Sequence, residues 1–125
     1  MITFRGRLFA AVVTAAVTVT GAAWAQETVV KMTSARTFEP RVVEVTVGAT
    51  VVWRNDSMAV HTVTADPARA KNPAAIALPA GVAPFSSQHV LPASIYRHTF
   101  TTPGTYRYID IHAEDAGMMG EVVVR

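Results

Sequence analysis

The chain has 125 residues, a formal net charge of +2 and no cysteine. That length allows one domain, and the lack of cysteine excludes a disulfide framework, a zinc–thiolate site and a thiol nucleophile. There is no basic patch with interleaved aromatics, so nucleic acid is not an expected partner, and no Gly-rich phosphate loop or Ser–His–acid motif that would suggest an enzyme.

Arg5 and Arg7 give the chain a basic start, Leu8 to Ala23 is apolar, and Ala23-Trp24-Ala25 supplies a small-residue cleavage pattern. Residues 1–25 are therefore expected to be a cleaved signal peptide and 26–125 the folded domain, in the periplasm. The rival reading is an uncleaved anchor. The run is interrupted by Thr14, Thr18 and Thr20 and is short for a span of roughly 20 residues, so no stable membrane insertion is expected after cleavage. No cysteine follows the run to carry a lipid. Without Arg5 and Arg7, nine basic residues face nine acidic ones, and the mature domain is neutral.

From Gln26 the text is rich in Val and Thr, in short alternating runs punctuated by Gly and Pro. Thr28–Thr33 predicts a strand. Ser34–Pro40 is a connection with Phe38 as a core plug, and Pro40 marks a strand edge. Val43, Val45 and Val47 alternate with Glu44 and Thr46, a half-buried strand. After Gly48-Ala49, Thr50–Arg54 is the next strand, ending near Trp53. Asn55-Asp56-Ser57 has turn chemistry, and His61–Ala65 is extended again. Asp66–Pro84 is Ala- and Pro-rich without a period and predicts an irregular excursion, with one helical turn around Pro73–Ala77. Phe85–His89 is a short strand and Ile95–Thr101 a firmer one. Thr102-Pro103-Gly104 turns, and Thr105–Ile111 and Gly120–Val124 close the sheet. About seven short strands in 100 residues, with no repeat or heptad, imply an all-β sandwich.

Chemistry concentrates between Tyr106 and Val124. Tyr106, Tyr108, Asp110 and His112 share one parity, so in a strand they point to one face. A loop then carries Glu114, Asp115, Met118 and Met119. A carboxylate, an imidazole and a thioether within nine residues is a metal-site composition. Asp110 and His112 would lie roughly 6.5–7 Å apart along such a strand and could converge on one ion.

Four fragments in order carry a family resemblance: Phe38-Glu39-Pro40; Val47 to Asn55 (V-G-A-T-V-V-W-R-N) with His61; Tyr96 to Tyr108 (Y-R-H-T-F-T-T-P-G-T-Y-R-Y); and Gly117 to Val124 (G-M-M-G-E-V-V-V). Together they resemble the cupredoxins, in particular the plastocyanin, pseudoazurin and amicyanin group, across nearly the whole mature chain. The resemblance implies a Greek-key two-sheet β-sandwich with copper at one end, held by two His, a Cys thiolate and a weak axial Met. It implies that His61, eight residues after Trp53, is the first histidine, that Met118 is the axial methionine, and that Asn55 ties the ligand loops together.

The family's C-x-x-H segment is where this chain departs. Aligned without gaps from Tyr106 and Met118, the family's Cys falls on Asp110 and its His on Ala113. A shifted register that makes His112 the second histidine puts Ile109 at the Cys position and breaks the Tyr106/Tyr108 parity; the period-2 pattern favours the gapless register. Neither offers a thiolate, the ligand that gives blue copper and its electron transfer.

The expected donors are thus His61, Asp110, His112 and Met118. This set suits Cu(II) or Zn(II), with copper favoured by the Irving–Williams order. Met119 is a weaker alternative to Met118. Glu114 and Asp115 read as an exposed acidic loop, His98 as structural, His89 as a surface histidine, and Met58 as a rim residue. The leading expectation is an exported, periplasmic copper-binding protein with a non-blue site, used for copper storage, delivery or tolerance, working with a periplasmic copper-handling or redox protein. The alternatives are a metal-free interaction module and an electron carrier.

Overall fold

The computed structural model describes residues 27–125; the expected signal peptide, 1–25, lies outside them. Among the described residues no helix is long and apolar enough to cross a membrane. Among the described residues nine strands form two sheets. They are β1 (Thr28–Met32), β2 (Phe38–Glu39), β3 (Val42–Val45), β4 (Thr50–Asn55), β5 (Thr64–Ala65), β6 (Phe85–Ser86), β7 (Ile95–Thr99), β8 (Gly104–Ile109) and β9 (Met119–Val124). One sheet has the order β2-β1-β4-β7 and the other β3-β9-β8-β5-β6. The pairs β1/β4 and β3/β9 are parallel and the rest antiparallel, so the chain crosses repeatedly between sheets. This is the all-β two-sheet sandwich that the strand pattern and resemblance imply. The count is raised by β2, since Phe38–Glu39, within the expected connection, pairs with β1 as a two-residue strand.

Alternation places the core. Val30 and Met32 of β1, Val51 and Trp53 of β4, Tyr106 and Tyr108 of β8, and Val122 and Val124 of β9 all point inward and are buried. Trp53 is central: the Tyr108 ring meets it edge-on at 5.3 Å, and Phe38 meets Tyr108 at 4.7 Å. Phe38 is the plug its position suggested. The Tyr106 hydroxyl donates to the Thr102 carbonyl at 2.7 Å and pins the turn before β8.

Several expected boundaries move. β3 stops at Val45 because Ala49 N–H bonds the Thr46 carbonyl and Gly48 adopts a positive φ of 89°, a turn that leaves Val47 exposed. β6 ends at Ser86 and leaves His89 in a loop, and β7 ends at Thr99. The excursion is irregular apart from two 3-10 turns, Pro67–Arg69 and Pro73–Ala75, each opened by Pro and capped by the side chain of Asp66 or Asn72. It docks along β8 through a two-way backbone bridge between Ala77 and Arg107.

Gly120 faces Tyr108 across β8 and β9, and a Cβ there would lie 2.3 Å from the Tyr108 hydroxyl. The ring is wedged between Phe38 and Trp53 and has nowhere to go. Gly120→Ala is therefore expected to cost about 1–3 kcal/mol, read as a lower urea midpoint at unchanged slope. An unchanged midpoint would show that the Tyr108 ring can move aside.

Candidate metal centre

The site lies at one end of the sandwich, where the loop after β4 meets the loop after β8. Asn55 ends β4 and organises the first loop. Its Oδ1 accepts from Ser57 N–H at 2.9 Å and Ser57 hydroxyl at 2.7 Å, while its Nδ2 donates to the carbonyls of Ala59 at 2.7 Å and Val90 at 2.9 Å. The same Val90 makes backbone bonds in both directions with His61. Asn55 therefore fixes His61 through Val90, a positioning role like the one the resemblance implies for this asparagine. His61 is 3% exposed.

Asp110 follows β8 directly and keeps the inward parity of Tyr106 and Tyr108; it is fully buried. Its Oδ2 is hydrogen-bonded to His61 Nδ1. Ile109 is buried too, but outside the core cluster that holds the two tyrosines. The side chain that meets the histidine is thus Asp110. Its N–H donates to the Met118 carbonyl at 3.1 Å, and Met118 N–H donates to the Ala113 carbonyl at 3.2 Å, closing the loop beneath the pair. Met118 is 1% exposed and part of the core cluster, as is Ala113.

His112 is placed differently from its parity. The strand ends at Ile109, because Asp110 Oδ1 accepts from His112 N–H at 2.9 Å and the Asp110 carbonyl accepts from Ala113 N–H at 3.2 Å. An aspartate that bonds its own backbone two residues on turns the chain. Period 2 lapses there, and His112 is exposed. The expectation that Asp110 and His112 share one strand face is corrected accordingly. Among the described residues no three His, Cys, Asp or Glu side chains gather closely enough to hold a metal ion. The geometry brings His61 and Asp110 together, ties the Met118 backbone to Asp110 N–H, and leaves His112 exposed in the turn that follows.

The donor chemistry of this pair suits a copper ion. One imidazole nitrogen and one carboxylate oxygen meet in a buried setting, and both are donor types that Cu(II) accepts. His61 Nε2 is buried with no hydrogen-bond partner among the described residues, so nothing holds the ring through its other nitrogen. Tyr108 lies deeper, on the same strand face, and burial pushes its hydroxyl well above the ordinary tyrosine range.

One contact was not legible in the sequence. The Glu114 carboxylate accepts from the backbone N–H groups of Lys71 and Asn72, both at 2.9 Å, and Lys71 Nζ lies 2.6 Å from Asp115. The Ala/Pro-rich excursion thereby clasps the loop that carries Asp110 and Met118. The residues involved are 42 to 44 positions apart, and only the capped turn at Asn72 hinted at backbone donors there. His98 packs flat on Phe85 at 3.9 Å, and burial lowers its pKa, in keeping with a structural role. Met58 is 92% exposed on the loop preceding His61.

Comparison with known proteins agrees with this architecture. The family model for copper binding proteins of the plastocyanin/azurin family matches residues 25–125. The Cu(I) form of an amicyanin mutant is similar at 29% identity and a TM-score of 0.60, over 79% of this chain and 82% of that one. An oxidized amicyanin mutant is similar at 27% identity and a TM-score of 0.60, over 86% and 88%. A copper-containing nitrite reductase from Thermus scotoductus SA-01 matches at 27% identity and a TM-score of 0.61 over 80% of this chain, but only 22% of its own length.

Proposed function

The chain belongs to the plastocyanin/azurin family of copper-binding proteins, and from that membership we propose that it is an exported, periplasmic protein that binds copper at a thiolate-free site for storage, delivery or tolerance. The observation that carries this reading is the buried contact of Asp110 Oδ2 with His61 Nδ1, in a chain that has no cysteine. His61 and Asp110 would hold the ion, with the Met118 thioether and the His112 imidazole as further donors. Bound there, copper would be a cargo in nitrogen and oxygen coordination, which suits Cu(II) over Zn(II) and removes the soft bond on which blue electron carriers depend. The role is binding rather than catalysis. Residues 1–25 serve as the cleaved export signal, and N-terminal sequencing of the exported protein, expected to begin at Gln26, tests that part.

The main test is spectroscopic. With one equivalent of Cu(II), the mature protein is expected to show weak visible absorption and the wide copper hyperfine splitting of a site without thiolate. His61→Ala is expected to lower the affinity by about tenfold or more, since one of the few protein donors is lost. An intense blue band would reject the reading in favour of electron transfer.

One observation favours a second reading, a metal-free interaction module: among the described residues no third His, Cys, Asp or Glu joins His61 and Asp110. Absence of stoichiometric copper binding would select it.

A further inference from the structure

The loops next to the buried pair carry two more imidazoles, both exposed. His112 sits in the turn after Asp110 and His89 in the loop after β6, and their ring centroids lie 5.1 Å apart with 43° between the planes. Two imidazoles on one ion, each with a metal–nitrogen bond of about 2.0–2.1 Å, have centroids roughly 4.5–5.5 Å apart. The pair already has that spacing.

Both residues are tied to the site beneath. His112 N–H donates to Asp110 Oδ1, and His89 precedes Val90, which is paired with His61 through both backbone groups and receives Asn55 Nδ2. Each surface ring is therefore anchored within one residue or one hydrogen bond of the buried pair. The neighbouring carboxylates of Glu114 and Asp115 are engaged by Lys71 and Asn72. That leaves the two exposed imidazoles, borderline donors that suit Cu(II), as the nitrogen donors of these loops.

We propose that His89 and His112 form a surface port that captures Cu(II) and passes it inward to His61 and Asp110. Two imidazoles with water in the remaining positions suit Cu(II), and the transfer is an exchange of ligands with no change of oxidation state. His112 belongs to both stages, and His89 only to the first. The inference rests on the copper-binding reading above.

The test uses the full mature protein and Cu(II) alone. In His61→Ala, substoichiometric Cu(II) is expected to broaden the imidazole NMR signals of His89 and His112 together. In His89→Ala, stopped-flow uptake is expected to slow by about tenfold, while the final stoichiometry and the paramagnetic resonance spectrum stay those of the wild type. A His89 signal that stays sharp while His112 broadens, or wild-type uptake by His89→Ala, overturns the port and leaves the copper site standing. A wild-type protein that takes up no copper overturns both. Should His61→Ala fail to fold, the uptake rate of His89→Ala decides, because that exposed side chain has no core role.

Discussion

Asp110→Cys, loaded with Cu(II), is expected to gain an intense thiolate-to-copper band that the wild type lacks. Asp110 is fully buried, keeps the inward parity of Tyr106 and Tyr108, and meets His61 Nδ1. A cysteine sulfur at this position would therefore face the same imidazole and restore the soft equatorial bond of the blue sites. Ile109→Cys is the control. Ile109 lies on the opposite parity, outside the core cluster, and its sulfur would not reach the histidine. A blue Ile109→Cys and a colourless Asp110→Cys would reverse the register, and two colourless variants would remove copper from this end of the sandwich.

The second large effect is on stability. Asp110→Ala in the metal-free protein is expected to lose about 1–3 kcal/mol, the usual cost of leaving a buried polar group without its hydrogen-bond partner. It strips His61 Nδ1 of its partner while Nε2 has none among the described residues, and it takes the acceptor from His112 N–H. A domain of this size has about 5–15 kcal/mol in total, so the melting temperature should fall by at least about 4 °C. Urea unfolding of Asp110→Ala, His61→Ala and the double variant measures the coupling directly. Additive single losses, or a loss below about 1 kcal/mol for Asp110→Ala, would mean that the two side chains do not stabilise each other.

Much of the frame was legible because its causes are local. Val30/Met32, Val51/Trp53 and Tyr106/Tyr108 alternate as half-buried strands must, and each pair is buried. The turn chemistry of Asn55 and Ser57 and the plug at Phe38 also follow from residue type. Misjudged places share a cause: a turn interrupts a periodic run. Val47 continues the alternation of β3 on paper, but Gly48 has already turned the backbone. Likewise His112 continues the parity of β8, but Asp110 bonds its own backbone and swings the next side chain outward.

By itself, then, the sequence determined the sandwich, the inward parity of Asp110 and, through the absence of cysteine, the exclusion of a thiolate from any copper site. Tertiary structure alone decided which side chains meet. His61 reaches Asp110 across 49 positions, Glu114 reaches Lys71 across 43, and His89 comes to lie beside His112. Alternation and turn propensity are properties of a few consecutive residues, whereas these contacts depend on how two sheets pack and where their end loops close. The loops that carry His61, His89 and Asp110 follow no period, so their side chains take positions only once the sheets are in register.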